Sequence, residues 1–259
     1  MRRYLLISVI ALYPVLAAAE QWERTYPVTG KPEVIVEAND GDIEALMAAS
    51  GQASLRVITR GLRIDRDVHI TADQSGNRIT LRLRREEKNC FGWCFQSIRI
   101  EIRVPREADL KLHSDDGNLR VEKIKGSFEL ESRDGNIGLD DSEGSLAART
   151  RDGNIDVRGR FNLLNLHTGD GNVSAEVTAA VQPKPGCIIR SGDGNLRLGL
   201  PGDLGADLEA RSGDGKVRVD FPMNTSGPSD ENFVRGKING GGIPIELSTG
   251  DGDIHVERM

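Results

Sequence analysis

Large rings are scarce in this chain. Trp, Tyr and Phe together make up 4% of 259 residues, so the core cannot rest on aromatic packing. Hydrophobic residues reach 37%, below the ~45–50% usual for globular domains. With only three Cys and four His, and no phosphate loop, zinc signature or dinucleotide fingerprint, the common cofactor and metal motifs are missing. No cofactor is expected. There is no basic block, and the formal charge is −6. An acidic chain without a basic face is a poor ligand for nucleic acid. Helical periodicity is absent over most of the chain. The composition also excludes a coiled coil, a collagen and a polytopic membrane protein. What is abundant is glycine, 30 residues, which predicts frequent turns between short strands.

One apolar run stands at the start. Arg2 and Arg3 precede an apolar stretch from Tyr4 to Leu16, followed by Ala17, Ala18 and Ala19. A basic start, a short apolar run and an A-x-A site form a cleavable signal peptide, expected over residues 1–19. The run is short for a membrane span of ~20 residues. Cleavage would remove two arginines and leave a charge of −8 on residues 20–259. No Cys follows the site, and no second long apolar run appears. The product is expected in the periplasm or outside the cell, not membrane-spanning once cleaved.

Export changes the reading of the cysteines. Cys90 and Cys94 bracket Phe91, Gly92 and Trp93, with Phe95 next. In an oxidising compartment this spacing predicts a local disulfide, holding an aromatic loop at 89–96. Phe91, Trp93 and Phe95 at a cross-linked tip could stack on a sugar ring or dock into a partner. Alternatively they fold back and cap one end of the domain.

The strongest signal is internal repetition. Asp-Gly recurs at Asp40-Gly41, Asp116-Gly117, Asp134-Gly135, Asp152-Gly153, Asp170-Gly171, Asp193-Gly194, Asp214-Gly215 and Asp251-Gly252. The pairs continue as Asn or Asp and then Ile, Leu or Val, with Lys216 the departure from this pattern. Three successive intervals are 18 residues, followed by 23, 21 and 37. The last is close to two periods, which predicts one degenerate copy. Two residues before the Asp stands Ser or Thr in seven of eight copies, Ala38 being the exception. Positions four and six before the Asp, and three and five after it, are apolar throughout. Strict period-2 alternation on both sides of a turn predicts half-buried strands.

At the corner, Gly is expected to supply positive φ, and Asp to hold the bend through nearby amides. The Ser or Thr hydroxyl is expected to satisfy turn backbone groups. Cys187 falls in an inward column and reads as a buried thiol. An 18-residue unit cannot bury its apolar face alone, so copies must stack. The expected fold is all-β, a single-domain β-solenoid of ~18-residue Asp-Gly repeats. The alternative is an antiparallel β-meander with an Asp-Gly hairpin at each corner. Between 45 and 109 the pattern is less regular, as in an elaborated early rung or an extended hairpin. Strands are expected at Leu55–Ile58 and His69–Thr71, with Ile79–Leu83 and Ile98–Val104 pairing as a long hairpin. The stretch from Pro222 to Asn232 reads as a surface loop.

These Ser/Thr-x-Asp-Gly-Asn-Ile/Val/Leu units resemble the bacterial putative-adhesin family of exported or envelope β-repeat proteins, over roughly 26–259. The resemblance implies a β-solenoid-like fold and an envelope or surface setting, and no catalytic residues. The aromatic loop and the segment around Pro222 depart from the pattern. The expected function is therefore a non-enzymatic, adhesin-like or envelope scaffold that binds an envelope glycan or protein. One alternative is a hydrolase or lyase acting on polysaccharide. The four His residues offer it no common register, although His113 and His167 both stand three residues before a repeat Asp. Another is a calcium-stabilised module using pairs such as Asp40/Asp42 and Asp251/Asp253. The chain has neither an EF-hand loop nor a nonapeptide calcium repeat, and turn chemistry accounts for these carboxylates. No metal site is expected.

Overall fold

The computed structural model describes residues 19–49, 51–86, 95–180, 186–225 and 230–259. The expected signal peptide, apart from Ala19, and the Cys90–Cys94 bridge fall outside them. Among the described residues the chain is all strand, 21 of them in one continuous sheet. The sheet doubles over into two facing ladders. Each copy of the repeat gives one strand to each ladder, and the Asp-Gly corner carries the chain from one to the other.

The first ladder runs, in spatial order, Arg78–Arg85, Glu33–Ala38, Asp109–Ser114 and Lys125–Ser132. It continues through the second halves of Ile137–Thr150 and Ile155–Thr168, then Gly186–Ser191, Ile243–Thr249 and Ala206–Ser212. The second ladder runs Ser97–Val104, Asp42–Met47, Leu119–Glu122, the first halves of Ile137–Thr150 and Ile155–Thr168, then Val173–Ala180. It ends with Leu196–Leu200, Ile254–Arg258 and Val217–Val219. All these neighbours are parallel, and copies pair in the register of the repeat, as in Leu112 with Leu130 and Ile137 with Ile155. The strands flanking a corner pair along the stack and not with each other, so the hairpin meander does not occur. The architecture is solenoid-like.

The order of the rungs differs from their order in the chain. Arg78–Arg85 and Ser97–Val104 do not form a hairpin. They lie in opposite ladders and make an outermost rung beside Asp40. At the other end the last copy, with its corner at Asp251, inserts between the rungs of Asp193 and Asp214. The long interval before it holds no degenerate copy. It holds Met223–Thr225 and Phe233–Ile238, which run antiparallel on the outside of the Asp214 rung. The expected loop at 222–232 is thus partly strand, and residues 226–229 fall outside the described set. The far end closes in the same manner: Val68–Ser75 runs antiparallel to Arg78–Arg85, while Ala53–Arg60 and then Ala19–Tyr26 run antiparallel beyond Ser97–Val104. Reversed strands close both ends of the first ladder and the Ser97–Val104 end of the second, breaking the parallel template that another copy could extend there.

The inward columns from both ladders form one aliphatic core, with Phe128 and Phe161 its largest fully buried side chains. Val217 and Val219 are only half-buried because their rung ends the second ladder.

Candidate functional site

The structure brings all eight Asp-Gly corners into one line along an edge. Two sets of bonds hold that line. The buried hydroxyl two residues before each Asp donates to the carbonyl of the preceding rung's corner glycine. Ser114 reaches Gly41 at 3.0 Å, Ser132 reaches Gly117 at 2.9 Å, and Thr150 reaches Gly135 at 2.9 Å. Thr168, Ser191, Thr249 and Ser212 follow suit with Gly153, Gly171, Gly194 and Gly252. Ala38 breaks the pattern because its rung is the first with an Asp-Gly corner and has no such carbonyl behind it.

The Asn column makes a second ladder. The backbone N–H of Asn136, Asn154, Asn172 and Asn195 donates to the side-chain oxygen of the preceding Asn at 2.9–3.0 Å. Asp42 begins this run and Asp253 sits near its end, accepting from Asn118 N–H at 3.0 Å and Lys216 N–H at 2.8 Å. A carboxylate suffices at Asp42, which only accepts. Lys216 stands on the last rung, where nothing further needs an acceptor.

The glycine requirement differs from the expected one. Of the corner glycines only Gly41 has a positive φ, +114°. At Gly117, Gly135, Gly153, Gly171, Gly194, Gly215 and Gly252 a Cβ would lie less than 3.0 Å from the carbonyl of the adjacent corner. Close stacking, not turn geometry, selects glycine there. The carboxylate does not hold the bend either: the amides of Gly135 and Gly215 donate to Ser132 and Ser212 Oγ, at 3.0 and 2.8 Å.

The corner carboxylates form a line, not a cage. Arg151 bridges Asp134 at 2.8 Å and Asp152 at 3.2 Å. Partial burial, with Asp134 alongside, raises the Asp116 pKa from its ordinary value. Among the described residues no three acidic, His or Cys side chains converge as metal ligands.

At the capped end, Arg85 pairs with Asp40 and donates to Gln96 Oε1 at 2.6 Å, while Asn39 bonds the Arg85 backbone in both directions. This places Phe95 beside the first corner with its side chain outward, 82% exposed. Phe91, Trp93, Cys90 and Cys94 lie outside the described residues.

The histidines do not assemble a nucleophile's base. His69 bonds Glu86 and His255 bonds Asp220, at 2.9 and 2.7 Å. His113 and His167, both three residues before a repeat Asp, share an outer column, but Glu131 and Arg149 stand between them. Burial, with Arg149 and Arg190 on either side, lowers the His167 pKa.

Cys187 is buried as expected, and burial pushes its thiol up to about 12. Native protein without reductant is expected to react with no thiol reagent. Unfolding should then release one thiol, Cys187; three would exclude a Cys90–Cys94 bridge.

The outer face of the second ladder carries a dent of about 520 Å³. It opens at Gly138, whose cross-strand neighbours are Arg120 on one side and Asp156 on the other. Asn118, Asn136, Asp140, Arg158, Ser174 and Glu176 are among the polar residues that line it. No candidate drawn from the corners includes it. The signal was available in the column four residues after each Asp, where other copies carry Glu44, Arg120, Asp156, Ser174, Arg197, Arg218 and His255 and one copy carries nothing.

In-register turns laddered at one edge and closed by reversed strands define a solenoid-like repeat protein. The chain belongs to the Toastrack DUF4097 family, whose model matches residues 36–257. Among solved structures it is similar to a putative adhesin from Bacteroides fragilis. They are 14% identical with a TM-score of 0.51, covering 93% of this chain and 99% of that one. It is also similar to a putative cell adhesion protein from Clostridium sporogenes, 14% identical with a TM-score of 0.46, covering 93% and 100%. No curated protein matches the chain. At this identity the likeness is one of fold.

Proposed function

We propose that the protein is a non-enzymatic, adhesin-like scaffold, exported to the periplasm or beyond, that contacts an envelope glycan or envelope protein through its capped end. The observation that carries this is the outward Phe95 ring. Elsewhere among the described residues Tyr26, Phe128, Phe161 and Phe221 are buried, and Trp22 and Phe233 are half-buried. Phe95 therefore stands out as an exposed aromatic in a ring-poor chain. Its sequence neighbours Phe91 and Trp93 add two rings to the same loop, which a Cys90–Cys94 bridge would stiffen. Rings on a tethered loop offer stacking area to a sugar or a protein surface at low entropic cost. The B. fragilis structure, described as a putative adhesin, points in the same direction.

The test is incubation of the exported form with envelope and extracellular glycans, scoring retention and newly released reducing ends together. Retention without release is expected, weakened at least tenfold, about 1.4 kcal/mol, by Phe95→Ala or Trp93→Ala. Release of reducing ends would replace this reading with an enzyme. Retention untouched by either variant would remove the loop from the site.

A further inference from the structure

Gly138 is a glycine without a backbone reason. It lies inside the strand Ile137–Thr150, where glycine weakens a sheet, and its φ is not in the left-handed region. A Cβ built on it would meet nothing closer than the Leu119 carbonyl at 3.9 Å. The corner glycines, by contrast, leave no room for a methyl group. What Gly138 contributes is the space itself.

That space has a particular lining. Arg120 is held by Glu122 at 2.6 Å and Arg158 by Glu176 at 3.5 Å, so the guanidinium groups on the rim are already oriented. Among the described residues, neither Asp140 nor Asp156 has an ion-pair partner. Asn118 and Asn136 border the dent from the side-chain ladder, their amides fixed by it. The dent thus combines unpaired acceptors, pre-oriented donors and an open floor. Both charge signs are present, so neither an anion nor a cation is favoured outright. A ligand that both donates and accepts hydrogen bonds fits, and vicinal hydroxyls do so.

We infer that the dent at Gly138 is a binding subsite for a neutral saccharide residue, with Asp140 and Asp156 accepting its hydroxyl protons and Arg120 and Arg158 donating to its oxygens. This deepens the glycan-binding reading and rests on it for ligand class. It places contact on the ladder face, three rungs from the outermost one, or about 14 Å along the stack at ~4.8 Å per rung.

Titration of the intact protein with maltotriose, cellotriose and chitotriose, followed by calorimetry, tests it. Binding of at least one trisaccharide is expected. Gly138→Val should weaken it tenfold or more while leaving the melting temperature equal or higher, because valine suits a strand and fills only the floor. Asp156→Asn should weaken the same ligand. Lys111→Ala, exposed on the outer face of the first ladder and outside both the dent and the loop, should leave trisaccharide affinity unchanged. Equal binding by Gly138→Val and wild type overturns the inference while leaving the loop reading intact. Binding of none of the three also overturns it, and so does a melting shift on calcium alone that Asp156→Asn abolishes.

Discussion

Gly153→Ala is expected to destabilise the protein by more than about 3 kcal/mol, the upper end for overpacking. The added methyl would lie under 3.0 Å from the Gly135 carbonyl, a backbone atom that cannot swing aside. The same carbonyl accepts the Thr150 hydroxyl at 2.9 Å, so pushing the rungs apart also strains a buried hydrogen bond. For a chain of this size each kcal/mol corresponds to roughly 2–4 °C, so a fall of about 6–12 °C in melting temperature follows. Gly138→Ala is the control: the same substitution, inside a strand instead of at a corner, with open space beyond. It should be neutral or slightly stabilising. A Gly153→Ala protein melting within two or so degrees of wild type, on the same scale, would refute the stacking account.

Removal of residues 243–259 is expected to abolish cooperative folding of the C-terminal part. In a sequential solenoid the final repeat has one neighbour, and its loss shortens the stack. Here Ile243–Thr249 and Ile254–Arg258 are paired on both sides. Deletion takes Ile245, Leu247, Ile254 and Val256 out of the core and cuts the Asp214 rung off from the rest of the stack, leaving it paired with the antiparallel Phe233–Ile238. At ~2–5 kcal/mol for each large aliphatic removed, the loss is on the order of 10 kcal/mol. That equals the whole stability of many domains. Limited proteolysis and thermal unfolding of the truncated chain read this directly. A cooperative transition within a few degrees of the intact protein would mean that the inserted rung is dispensable.

Much of this was legible before any coordinates. The inward columns, from Val36 to Leu247 and from Ile43 to Val256, follow from period-2 alternation, because a strand with one face in a core permits no other pattern. The buried Ser and Thr were legible as partners for turn backbone. What could not be read was the order of the rungs. Apolar alternation says which face of Ile243–Thr249 is inward, but not which strands flank it. The departures from consensus did carry that information. Ala38 marks the first Asp-Gly corner, and Lys216, in an internal copy of the chain, marks the last rung in space. The corner glycines were legible as necessary, for a different reason than the one expected. Their constraint comes from a neighbouring turn 18 or more residues away in the chain, which local turn preferences do not contain. Among the candidate binding residues, Phe95 was legible as part of an aromatic loop, but the sequence left open whether its ring points outward or caps the end. Gly138 is visible only as a missing side chain once the copies are aligned.

The threading of the last rung also bears on how such a chain could change length over generations. Between Asp116 and Asp170 the copies follow each other both along the chain and along the stack, at intervals of 18 residues. A duplicated or lost unit in that stretch would meet identical hydroxyl, amide and glycine partners above and below. It would move the two closed ends apart or together by ~4.8 Å and leave both untouched. No such freedom exists beyond Asp193, where an extra unit would have to fit around an interleaved rung. Length variation among relatives should therefore come in whole units and concentrate in the middle of the stack, with the outer faces growing in step and the ends held constant.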